Sequence, residues 1–332
     1  MFVEFYLSLY FGIMGNEFEL INELRGRFPK FLGDDCAVVN SLDGKLLLTT
    51  DEMVENIHFS LDYFSYEDVG YKAVSSASSD IAAMGGVVDG VLLAIAIPEK
   101  FDGENLASLY DGIHTFCKCK NIEIFGGNIS RTQNEFHIVT TVLGHCERPI
   151  MRSGAKIGDT IYITGTLGGA KAGYFIASGK FDGEISPLER DLLSIRHRRP
   201  RARLDVGKFL GEIGKISAML DISDGFWSDL MHIAEESDVG VDIELSKIPL
   251  YPGVEKIANW LNIDPYILAA RSGEEYELLF TAPSEIGEQL QKILIDELDV
   301  PITAVGKITQ SGRIAKLNGE KIQSEKLVGW EH

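Results

Sequence analysis

The chain has 332 residues, 45% of them hydrophobic and 24% charged, which is ordinary globular composition and enough for about two domains. Its formal charge of −19 argues against nucleic acid or an anionic membrane surface as a main partner, because both require clustered Lys and Arg. Four scattered cysteines (Cys36, Cys117, Cys119, Cys146) lack zinc-like spacing and read as reduced thiols of a cytoplasmic protein.

Met1–Ile13 is apolar and aromatic, but it has no basic flank and is too short to span a bilayer. Met14 begins a more ordinary sequence, so residues 1–14 are set apart as a leader. Strands are expected at Lys45–Thr50, Gly90–Ile97, Ile122–Phe125 and Phe136–Gly144, with a helix over Tyr66–Met84 carried by Val69, Ala73, Ala77, Ile81 and Met84. Glu147-Arg148-Pro149 breaks the pattern and places a boundary between 15–148 and 149–332. Further strands are expected at Thr160–Thr164, Ala218–Ile222, Val241–Leu245, Glu277–Thr281 and Ile302–Ile308, with a helix at Phe226–Glu236. Strands and helices mixed throughout give α/β or α+β layers. The basic run Arg196–Arg201 is expected to form internal or interface salt bridges in so acidic a chain.

Polar residues punctuate the ends of these apolar runs. Gly33-Asp34-Asp35 suits a turn. Thr49-Thr50-Asp51 is expected at a strand end, where α/β proteins bind ligands. Ser79-Asp80 sits in a small-residue helix, where an acid is costly unless satisfied. Gly126-Gly127-Asn128 is expected to close a strand, with glycines that let backbone approach a ligand. Gly165–Lys171 joins a strand to a helix, is no Walker A loop, and reads as a glycine turn. In Asp221–Gly225 either Ser223 or Asp224 suits the cap of the next helix. Glu274-Glu275 places acids before another strand. Carboxylates from separate loops repel one another unless cations join them, and an all-oxygen set suits Mg²⁺ and phosphate substrates.

In this order the motifs, with His58-Phe59, Arg152-Ser153-Gly154-Ala155, Glu274–Leu278 and Gly329-Trp330, resemble the thiamine-monophosphate kinases. That family belongs with the aminoimidazole ribonucleotide synthetases and selenophosphate synthetases, and the likeness runs from about residue 15 to the end. The resemblance implies two α/β domains, a homodimer formed through the N-terminal sheet, and Mg-dependent transfer of the γ-phosphoryl of ATP onto thiamine monophosphate, giving thiamine diphosphate and ADP. It implies Mg²⁺ ligands at Asp35, Thr49, Thr50, Asp51, Asp80, Asn128, Asp221 and Asp224. It implies ATP contacts at Tyr110, Gly127, Asn128, Arg152 and Ser223, with Arg152 also stabilising charge, and substrate contacts at His58, Glu274 and Trp330. The acceptor oxygen is already anionic, so no general base is expected.

Two positions depart from the family pattern: Asn128 and Glu275 each stand where it has aspartate. Asn128 offers a carbonyl oxygen without charge, which leaves a catalytically impaired thiamine-phosphate or nucleotide sensor as an alternative. Another ATP-dependent transferase of the superfamily is a second. Residues 15–32 hold no cysteine for selenophosphate chemistry, and the chain ends Gly-Trp-Glu-His rather than in the cysteine of the hydrogenase-maturation relatives.

Overall fold

The computed structural model describes residues 34–41 and 44–329. In the first half, β1 (Ala37–Ser41), β2 (Gly44–Val54), β3 (Val87–Ile97), β4 (Glu123–Arg131) and β5 (His137–Cys146) form one sheet in the order β1-β2-β5-β3-β4. Only β3 and β4 run parallel; a parallel pair needs a long crossover, here α2 (Gly103–Lys120). Buried and part-exposed residues alternate along β5, so one face of the sheet is covered.

Helix α1 (Tyr66–Ala83) starts with a capping box in which Ser65 and Asp68 satisfy each other's backbone N–H groups. It meets α2 backbone to backbone: a Cβ on Gly70 would lie 2.1 Å from the Leu109 carbonyl oxygen, and one on Gly112 would lie 1.9 Å from that of Glu67. This close seat fixes the direction of α1, whose C-terminal end runs into the second half of the chain.

That half contains β6 (Thr160–Thr164), α3 (Gly169–Ala177), α4 (Pro187–Arg198), α5 (Leu204–Ile213), β7 (Ala218–Asp221), α6 (Phe226–Glu236) and β8 (Gly240–Glu244). It continues with α7 (Val254–Trp260), α8 (Pro265–Ala270), β9 (Leu278–Ala282), α9 (Gly287–Leu298), β10 (Ile302–Thr309), β11 (Arg313–Leu317) and β12 (Glu320–Ile322). The strands form a second sheet in the order β12-β11-β8-β10-β6-β9-β7, with β8–β11 its only parallel pair. Strands β6, β7 and β9 are buried along their whole length, which is why they read as apolar runs without alternation. The core beneath the first sheet continues through Leu204, Val206 and Leu210 of α5 to Leu290 and Leu294 of α9. Among the described residues no helix is long and apolar enough to cross a membrane.

The α/β layers are as expected, and three local expectations need correction. Thr49-Thr50-Asp51 lies inside β2, which pairs with β5 as far as Val54. Gly126-Gly127-Asn128 does not close its strand either: β4 continues to Arg131, and Gly127 is required because a Cβ there would lie 2.0 Å from the Leu93 carbonyl oxygen of β3. The cap position of α6 is Gly225, not Ser223 or Asp224. The start of the helix is braced by Asp229, one carboxylate oxygen of which accepts from the amides of Asp224 (3.3 Å) and Gly225 (3.1 Å).

Candidate active site

Three elements distant in sequence converge where α1 meets β7. The turn before β1 supplies Asp35, the end of α1 supplies Asp80, and the end of β7 supplies Asp221; a carboxylate oxygen of each lies within 4.8 Å of the others. Burial raises Asp80 well above the usual carboxylate range, and the charges of Asp221 and Asp35 push it further. Asp221 is raised to about 7 by burial and by Asp35. The cluster's few supports are local. The Thr49 hydroxyl donates to Asp80 at 2.5 Å, and the Arg152 guanidinium donates to one Asp35 oxygen at 3.1 and 2.5 Å. The second Asp35 oxygen is buried with no hydrogen-bond partner.

A buried acceptor without a donor, beside two mutually repelling carboxylates, fits a hard divalent cation. Asp34 belongs to the same turn. It accepts from the backbone amide of Arg152 at 3.0 Å and is raised to about 6 by burial and by Asp35.

Period two along β2 decides which of its polar residues reach this centre. Thr49 and Asp51 share the face that looks at α1, and burial raises Asp51 against the opposing Ser76 hydroxyl. Thr50 is on the other face, where its hydroxyl pairs with that of Thr141 across the strands at 3.1 Å. Asp224 joins a separate group with Asp229 and His232, whose ligand atoms lie within 4.8 Å of one another. Three expected metal ligands therefore stand apart from the central three: Asp224 by its own group, Thr50 by its face and Asn128 by its strand. Asn128 and Gly127 are exposed on β4, the edge strand of the first sheet, and no hydrogen bond among the described residues joins Asn128 to the carboxylates. Tyr110 is half-buried on α2 against the core.

A second polar corner adjoins the first. Its loop, 272–276, is tied to the segment after β7, where Glu274 N–H donates to the Ser223 carbonyl (2.7 Å) and Tyr276 N–H to that of Ile222 (2.9 Å). Glu274 and Tyr276 both have left-handed backbones (φ 57° and 51°), a local strain typical of functional loops. His58 follows β2 in a turn, and its Nδ1 accepts from the Val54 amide at 2.9 Å, so a neutral ring carries its proton on Nε2. Trp330, expected to contact the substrate, lies outside the described residues.

Neighbouring acids in this loop have unlike fates. Glu275 and Glu277 turn inward to Arg196, which donates to Glu275 at 3.0 Å and to Glu277 at 3.1 Å, while Arg203 grips Glu277 at 2.6 Å twice. Glu275 also accepts from the Ala170 amide at 3.0 Å, which places an internal carboxylate at the start of α3 and accounts for the glycine turn there. Arg198 and Arg199 of the same basic run both pair with Asp68, while Arg201 is exposed. Lys72 and Asp229 are site residues that the sequence reading missed, and their signal is a charge on the apolar stripe of a helix.

Two sheets with helices, and an all-oxygen anionic centre at the seam between them, define the AIR-synthase-related class. Residues 33–146 match the AIR synthase related protein N-terminal domain, and residues 156–316 match its C-terminal domain. The thiamine-monophosphate kinase of Bacillus subtilis (strain 168) is 33% identical over 96% of this chain and 99% of its own. That of Haemophilus influenzae is 38% identical over 84% and 83%. The solved structure of AaThiL complexed with AMPPCP and TMP superposes with a TM-score of 0.85 at 32% identity, covering 97% of this chain and 99% of its own. The chain belongs to the thiamine-monophosphate kinase family.

Proposed function

We propose that this protein transfers the γ-phosphoryl group of ATP to thiamine monophosphate, forming thiamine diphosphate and ADP. The observation that carries this is the Asp35–Asp80–Asp221 cluster, with its unpartnered buried oxygen, in a chain of this family. Mg²⁺ held there, with Thr49, Asp51 and Asp224 as further oxygens, would supply the positive charge that brings two phosphates together. The chain's own residues do the rest. Asp35, Asp80 and Asp221 form the rigid anionic cage, braced by Thr49 and Arg152. The acceptor phosphate needs no deprotonation, and the site reflects this: the His58 Nδ1 is spent on Val54, leaving alignment as the main demand. Glu274 supplies an anion for the cationic thiazolium ring.

We place the domain division at 148/149, and a second copy of the chain on the outer face of the first sheet. There Leu48, Leu92, Ala94, Val139 and Leu143 share one side by register, and Leu92 is 40% exposed. Sedimentation as a monomer would remove the dimer.

The activity is tested by incubating the protein with ATP, Mg²⁺ and thiamine monophosphate, with thiamine diphosphate and ADP expected in equal amounts. ATP hydrolysis indifferent to thiamine monophosphate would overturn it. The cage also predicts a linked titration. Asp221 of the cage, raised to about 7, and Asp34 of the adjoining turn, raised to about 6, hold protons in the folded state that the unfolded chain has released above about pH 4. A cation must displace those protons, so the rise in melting temperature on adding Mg²⁺ is expected to grow between about pH 5 and about pH 8. A rise independent of pH would contradict ligation by these carboxylates.

A further inference from the structure

Lys72 lies on α1 with its side chain 1% exposed, on a stretch that reads as apolar helix. Its ammonium donates to Glu274 Oε1 at 2.6 Å and to the His58 carbonyl at 3.3 Å, and stands 5.4 Å from the centre of the Phe64 ring. A buried ammonium is costly, and a fold keeps one only where its partners are well placed. Both of its polar partners are residues of the proposed substrate corner, one by side chain and one by backbone. Lys72 thus ties the turn after β2 to the strained loop that carries Glu274.

On the other side of Glu274 stands His197 of α4, whose Nδ1 is 3.9 Å from Oε2. Its ring is walled in by Tyr63, Phe64 and Tyr174, with centroids at 6.1, 5.4 and 5.7 Å, and neither ring nitrogen has a hydrogen-bond partner. Burial and the Lys72 charge push this imidazole down to about 3, so it is neutral in any working buffer. Of the two bases flanking Glu274, only Lys72 is charged. Burial alone would raise the Glu274 carboxyl; with Lys72 the leading opposing influence, it lies below the ordinary range. One carboxylate oxygen is held by the ammonium, which fixes the direction of the other. The side chain is 35% exposed, so a ligand has access to it.

Resting on the activity proposed above, the geometry points to Lys72 as a positioning residue for the organic end of the substrate. It holds the Glu274 carboxylate ionised and aimed at the cationic ring of thiamine monophosphate. Lys72 acts through Glu274 and touches neither the transferred phosphoryl group nor ATP.

The test is a double-mutant cycle on the full chain with Lys72→Met, Lys72→Arg, Glu274→Gln and the Lys72→Met/Glu274→Gln pair. Lys72→Met is expected to raise KM for thiamine monophosphate about tenfold, with kcat within about threefold and KM for ATP unchanged. Lys72→Arg restores most of the loss, and Lys72→Met adds nothing to KM once Glu274 is glutamine. Should Lys72→Met fail to fold, Lys72→Gln carries the same expectation. An unchanged KM, a loss confined to kcat, or full additivity of the two substitutions would overturn the proposal. If the parent forms no thiamine diphosphate, the activity has failed rather than this inference, and the same cycle is read in the Kd for thiamine monophosphate by calorimetry. No binding by the parent would overturn both.

Discussion

Asp80→Asn is expected to abolish turnover and, at the same time, to raise the melting temperature of the cation-free protein. Asp80 is buried, and Asp221 and Asp35 bear on it as like charges. At an effective dielectric near 20, unit charges this close repel by a few kcal/mol. Because its folded pKa is raised, ionised Asp80 weakens the fold at all pH values above that pKa, and removing the charge relieves this. The amide keeps an oxygen to accept the Thr49 hydroxyl, so local geometry survives. A gain of about 2–4 °C is expected in chelator by scanning calorimetry. Turnover should fall about 10³-fold, the scale seen when a preorganised charge-stabilising group is lost. With Mg²⁺ added, the parent should become the more stable of the two. Activity within tenfold of the parent, or a lower melting temperature in chelator, would sink the claim that these carboxylates await a cation.

Arg196→Met should have the opposite signature: a large loss of stability that no cation repairs. Arg196 is 6% exposed and is shared by Glu275 and Glu277, both of which are buried. Arg203 and the Thr164 hydroxyl still hold Glu277 after the change. Glu275 keeps only the Ser272 hydroxyl and the Ala170 amide, and burial already raises its carboxyl. Breaking a buried ion pair by removing one partner costs about 3–5 kcal/mol, because the other charge stays behind. Urea unfolding should show that loss, and the double variant Arg196→Met/Glu275→Gln should recover part of it. A loss below about 1 kcal/mol would mean that water reaches Glu275.

The pattern of what was legible in the chain follows from these two sites. Helix Phe226–Glu236 is readable to the residue because Phe226, Leu230, Ile233 and Ala234 repeat at helical spacing and are all buried. The carboxylates of the cage are recognisable one by one, as acids on apolar or glycine-flanked stretches. Period two then sorts Thr49 from Thr50, which no motif does. The end of β4 is not legible because Gly126-Gly127 looks like a turn, whereas the length of the strand is set by its partner β3, eleven residues long. Glu274, Glu275 and Glu277 look alike in sequence; only Lys72 and Arg196, from distant helices, separate the acid of the substrate corner from the two that hold the fold. Such pairings are long-range and leave no periodic trace.

Asn128 bears on the central claim most directly, since the resemblance implies an aspartate at its place and it lies on an edge strand outside the carboxylate cage. The decisive measurement follows γ-phosphoryl-labelled ATP with Mg²⁺ and thiamine monophosphate, run on the parent and on Asn128→Asp. Label recovered in thiamine diphosphate from the parent is the predicted result, with a faster rate in the variant. No label in thiamine diphosphate from either protein, while ATP still binds, would contradict the kinase and leave a nucleotide sensor or a different acceptor.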